Sequence, residues 1–136
     1  MKSRINFFLI VAMILMLIQI LLGISVREFV DNQIDIHGLE KKDIWLEKPK
    51  LNFYIHRTFS LLVFLSNAYL LILAKKSKIE MKFIKMINFL ILIEIIIGAC
   101  MYYFSFPILT QPIHLLISII ILSLQFYWFL KIRRPH

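Results

Sequence analysis

Two histidines and two glycines are the residues of this chain whose type and placement could do chemistry. Each glycine ends a short apolar motif, Gln19-Ile-Leu-Leu-Gly23 and Glu94-Ile-Ile-Ile-Gly98, and each motif is followed in the next hydrophobic run by one histidine, His56 or His114. The second copy is the more compact, because Glu94 to Leu115 reads as a helix end, a tight turn through Pro107 and a helix start at Pro112. A histidine inside an apolar helix is costly unless it faces the interior of a bundle and finds a partner there. A pair of them suits three roles: axial ligation of a haem iron, hydrogen bonding between helices, or an ion or proton path. Glycine fits the first because a flat macrocycle can approach a backbone that lacks Cβ, and it equally fits ordinary small-residue helix crossings. Arg27 and Arg57 border these motifs; they suit haem propionates, which need bidentate cations, and also serve as interfacial anchors. Zinc is the weaker candidate, since no Cys or Glu cluster completes a ligand set.

The elements that position these residues follow from hydropathy. The chain is 60% hydrophobic with a mean hydropathy of +0.81, which places it among membrane proteins. Charge-free or nearly charge-free runs at about 5–26, 51–74, 86–104 and 112–130 are each long enough, at about 1.5 Å per residue, to cross a hydrocarbon core of about 30 Å. The first run is longer than a signal-peptide core and lacks a small-residue cleavage site, so it reads as an uncleaved anchor. The net charge of +8 lies in clusters beside the apolar runs rather than on one basic face, which argues against nucleic acid and for orientation signals in a lipid bilayer.

Ten Lys and Arg residues fall at the N-terminus, in the 75–85 loop and at the C-terminus, against five in the 27–50 loop and none in 105–111. The positive-inside rule then puts both termini in the cytoplasm of a cell whose plasma (inner) membrane holds the protein. The expected fold is an all-α membrane protein, a single four-helix up-down-up-down bundle spanning 1–136. That topology brings all four site residues to the outer leaflet. Counting the helical rise, His56 lies about 8 Å and His114 about 3 Å below the outer edge. The 27–50 loop mixes apolar residues with a near balance of charges, and is expected to lie as amphipathic turns at the membrane surface with Trp45 at headgroup depth. The lone Cys100 excludes an intrachain disulfide and reads as a packing residue. His37, in the polar loop, and His136, in the basic tail, read as solvated bystanders. Tyr54, Tyr102 and Tyr103 fall near the interface, where Tyr is common without function. Glu94, the one carboxylate inside a span, falls where the first copy has Gln19, which favours an amide-like tie between helices over proton carriage.

These pieces, Gln19 to Gly23 continuing to Arg27, Phe53-Tyr-Ile-His56-Arg57, Glu94 to Gly98, and Pro107 followed by Gln111-Pro112-Ile113-His114-Leu115, together resemble the haem A synthase (cytochrome oxidase assembly) family. The resemblance covers nearly the whole chain and corresponds to one half of the eight-helix proteins usual in that family. It implies haem as cofactor, with haem b resident and haem O or haem A as substrate or product. His56 and His114 become the iron ligands, and Gly23, Gly98, Arg27 and Arg57 the surrounding cofactor site. It further implies a homodimer or a second four-helix half, an electron donor, and a functional link to the farnesyltransferase that forms haem O. One position departs from the family: the glutamate usual three residues before the first histidine of the catalytic half is Phe53 here. The chain is therefore most similar to the cofactor-binding half. A non-catalytic bis-histidine b-type haem protein for electron transfer or haem handling is the alternative.

Overall fold

A computed structural model of the protein describes residues 2–133. It contains four helices, α1 (Lys2–His37), α2 (Leu51–Lys76), α3 (Lys82–Tyr103) and α4 (Thr110–Arg133), and no strand among the described residues. All four are long and apolar enough to cross a membrane. Their outward faces carry large apolar side chains such as Phe7, Leu21, Leu65, Phe89 and Ile119. Helices that are apolar on every side belong in lipid, and this is a multi-pass membrane protein. Arg134 and His136 lie outside the described residues, so the expectations for them have no counterpart here.

Neighbours in sequence pack side by side and α4 closes back on α1, while the two diagonal pairs, α1 with α3 and α2 with α4, stay apart. The bundle is thus a square with an axial space, filled differently along its length. At the end bearing the termini, Ile5, Leu9 and Ala12 of α1 meet Leu70, Leu73, Ala74, Ile84 and Trp128. A second apolar layer, Met16, Val63, Ile87, Ile91 and Ile121, fills the middle.

A polar layer lies within this packing. Gln125 donates to Asn67 Oδ1 (3.0 Å), Asn67 donates to the Val63 carbonyl (2.8 Å), and Asn88 donates to the carbonyls of Asn67 (3.1 Å) and Ile84 (2.8 Å). Asn67 and Gln125 have no exposed surface at all. In a membrane, where apolar contact does not distinguish a helix from lipid, such bonds and close packing carry helix association. The three amides tie α2, α3 and α4 in one register.

The first helix departs from expectation. It runs on beyond the apolar span through half of the 27–50 segment, because that half remains a good helix. Arg27 pairs with Asp31 one turn later (2.6 Å), and Phe29 and Val30 are buried. It stops at Gly38, whose φ of +87° only glycine adopts freely, and whose N–H bonds the Ile34 carbonyl (2.7 Å) in the αL end motif. The rest of the segment folds back over the bundle. Trp45 donates to the Gly38 carbonyl (3.3 Å), and its ring packs on Phe106 with centroids 5.3 Å apart. Trp45 and Leu46 are buried with Phe29, Val30, Phe53 and Phe106. Trp45 therefore seals a cap instead of facing lipid headgroups, because one wall of the cap comes from the distant α3–α4 turn. That turn is tight, with Ser105, Phe106 and Leu109 all at positive φ. It lets α4 begin at Thr110, two residues earlier than Pro112, which still falls in the first turn where its missing N–H costs nothing.

Replacing Asn67 by Leu removes the acceptor of Gln125, and unfolding in detergent is expected to lose about 1–2 kcal/mol. The double variant Asn67→Leu/Gln125→Leu, which removes both partners, is expected to lose less than the sum of the two single variants. Additive losses would show that the pair does not interact.

Candidate functional site

Between the middle apolar layer and the loop cap, the axial space opens into a cavity of about 790 Å³, within the range of single small-molecule sites. Met16, Val63, Ile91 and Ile121 form its floor, and Val30, Leu46 and Phe106 its roof. His56, His114, Gly23, Gly98, Arg27 and Arg57 all line it. The six residues singled out in the sequence, drawn from all four helices, meet around one space at the end of the bundle away from the termini.

Glycine and histidine are matched across each helix pair. A Cβ built on Gly23 would stand 3.2 Å from His56 Cε1, and one on Gly98 would stand 3.6 Å from His114 Cε1. The first distance is tighter than ordinary contact and the second is ordinary. A methyl group at 23 would thus push on the imidazole it faces, by a few tenths of an ångström, whereas 98 has room for one. The two imidazoles meet across the α2–α4 diagonal with centroids 6.5 Å apart and planes at 78°. In both rings Nδ1 is buried and without a hydrogen-bond partner.

The environments of the two histidines differ. On the first side Gln19 donates to the backbone carbonyl of His56 (3.2 Å) and leaves the ring alone. On the second, Glu94 lies 8% exposed, accepts a hydrogen bond from Ser118 (2.9 Å), and its same oxygen stands 2.9 Å from His114 Nδ1. That nitrogen is near the carboxylate but its N–H is not in line with it, and the second carboxylate oxygen, Oε1, is buried without a partner. Sequence reading gave Glu94 the tie to a neighbouring helix but missed its approach to His114. The spacing held the signal: Glu94 is one helical turn before the glycine that faces that ring.

The arginines are also unequal. Arg27 is held by Asp31, whereas Arg57 is exposed and makes no ion pair among the described residues. Ser25 with Asn52, and Arg4 with Tyr69, fix the flanks on which α1 and α2 face each other. Phe53, one turn before His56, is buried in the cavity wall and stacks on Tyr102 at 5.3 Å. Tyr54 and Tyr103 are exposed, His37 ends α1 in solvent, and Cys100 is half-buried outside the lining.

No trio of His, Cys, Asp or Glu side chains is gathered for a metal ion among the described residues. Two histidines alone suit a metal that brings its other ligands with it, as the iron of a macrocycle does. The two rings stand 6.5 Å apart by centroid, on helices kept apart by the diagonal gap, and would hold such a group from its two sides. The residues present fit such a group.

The fold and site together define a four-helix membrane protein with a paired-histidine cavity at one end. A sequence model of the cytochrome oxidase assembly protein family, which includes the haem A synthases, matches residues 1–126, and the chain belongs to that family. No curated protein and no solved structure gives a significant match.

Gly23→Ala is expected to displace the His56 ring while Gly98→Ala leaves His114 in place. Cε1 resonances of ¹³C-labelled histidine read this in the ligand-free protein: His56 shifts in the first variant, and His114 stays within a small fraction of that change in the second. Equal shifts would remove the distinction between the two glycines.

Proposed function

We propose that this member of the cytochrome oxidase assembly family binds haem between His56 and His114 and serves the formation of haem A. The observation that carries the reading is the meeting of two half-buried imidazoles, each with a buried Nδ1 that makes no hydrogen bond, and two facing glycines in one cavity. Haem b is the proposed resident cofactor, and haem O and haem A the substrate and product of the reaction it serves. When bound, the group supplies one-electron and oxygen chemistry. The chain's own parts are then assigned by position. His56 and His114 hold the iron from opposite helices. Gly23 and Gly98 admit the macrocycle, the apolar floor and aromatic cap limit water, and Arg57, with Arg27, receives the propionates. By the charge bias of the loops the termini are cytoplasmic and the cavity lies near the outer face of the plasma membrane. The proposed partners are a homodimer mate or a second four-helix half, an electron donor, and the farnesyltransferase that supplies haem O.

A second reading is favoured by Phe53. Because the family's usual glutamate position is an aromatic side chain stacked on Tyr102, this cavity has no carboxylate on the His56 side to handle protons. A non-catalytic bis-histidine haem protein that passes electrons or holds haem during assembly fits that wall.

Purified protein from haem-replete cells is expected to show a low-spin Soret band that survives His37→Ala and is lost in His56→Ala and His114→Ala. A colourless preparation would contradict both readings. Extraction of haems from a strain that makes haem O decides between the two, since haem A appears only under the first. For the propionates, Arg57→Ala is expected to speed haem loss several-fold more than Arg27→Ala, because Arg27 is already engaged by Asp31. The reverse order, measured by transfer to apomyoglobin, would reassign them.

A further inference from the structure

We propose that Glu94 is the positioning residue of His114, fixing its tautomer and ring direction and so making the two sides of the cavity chemically unequal. The proposal deepens the haem reading and takes its ligand assignment from it. Three observations carry it. Glu94 and His114 each leave a buried polar atom unsatisfied, Oε1 of the carboxylate and Nδ1 of the ring, although the two side chains approach to 2.9 Å. Buried polar groups are rarely left so. A small turn of the imidazole brings the Nδ1–H onto Oε2 and satisfies the ring, and a turn of the carboxylate that offers Oε1 instead satisfies both atoms. Second, Ser118, on the same helix as His114 and one turn further on, donates to Glu94 Oε2 at 2.9 Å and holds the carboxylate in reach of the ring. Third, the equivalent residue of the other motif is a neutral amide: Gln19 donates through Nε2 to the backbone carbonyl of His56, and no carboxylate pairs with the His56 ring among the described residues.

A carboxylate that accepts Nδ1–H leaves Nε2 as the free lone pair for a metal and makes the imidazole a stronger donor to it. His114 becomes the firmly oriented, more strongly donating ligand, and His56 the looser one. Stronger donation favours the ferric state, so the reduction potential is held down from the His114 side. Outer partners of this kind are commonly worth about 10- to 100-fold in metal affinity.

The test uses Glu94→Gln, which keeps the volume and an oxygen for Ser118, and Glu94→Asp as the conservative variant. In the ligand-free protein with ¹⁵N-labelled histidine, His114 is expected as the Nδ1–H tautomer and His56 as a mixture. Glu94→Gln is expected to remove the preference at His114 alone. In the haem-loaded protein, Glu94→Gln raises the midpoint potential and speeds haem loss about 10- to 100-fold, and Glu94→Asp partly restores both. Equal tautomer populations in wild type and Glu94→Gln overturn the proposal, whether or not haem is taken up. A wild-type protein that takes up no haem but shows the His114 tautomer preference would fail the haem reading while supporting this one.

Discussion

The gap along the bundle axis at the loop end is the constraint on which the site depends. Four apolar helices in a square close up unless something keeps the diagonals apart, and here two imidazoles project from one diagonal pair toward the glycines of the adjacent helices. The contact is close where Gly23 meets His56 and looser where Gly98 meets His114, so the cavity is nearly but not fully symmetric. Lipid cannot solvate a histidine, and the interior position of both rings follows from that cost before any ligand is considered.

Specificity of the packing comes from elsewhere. Apolar side chains alone define the register of membrane helices weakly, because lipid is as good a neighbour as another leucine. The amides of Asn67, Asn88 and Gln125 supply directional contacts on three helices, while Met16, Val63, Ile91 and Ile121 separate that polar layer from the cavity. The order along the axis is thus apolar core, amide clamp, apolar floor, cavity and aromatic cap. Each layer isolates the next, and within the cavity Glu94 and Ser118 form a polar pair beside His114.

Much of this was legible in the sequence. Hydropathy located four spans, and the Gly-then-His repeat located the residues that surround the cavity, because both depend on local pattern. What escaped depends on contacts between distant segments. The helical half of the 27–50 segment was hidden by its charges, although an Arg27–Asp31 spacing and Gly38 at its end are helix signals. Trp45 was read as an interfacial residue because its partner Phe106 comes from a turn some sixty positions away. Glu94 was placed on the correct face, but whether it would meet His114 depended on how far α4 begins before Pro112.

The central claim is that the imidazoles of His56 and His114 share one haem iron. Near-infrared magnetic circular dichroism of the oxidised, haem-loaded protein tests it most directly, since the charge-transfer band reports the chemical identity of both axial ligands. The account predicts a single low-spin bis-imidazole species that is lost in His56→Ala and in His114→Ala. A spectrum of another ligand pair, or one unchanged by either substitution, would contradict it.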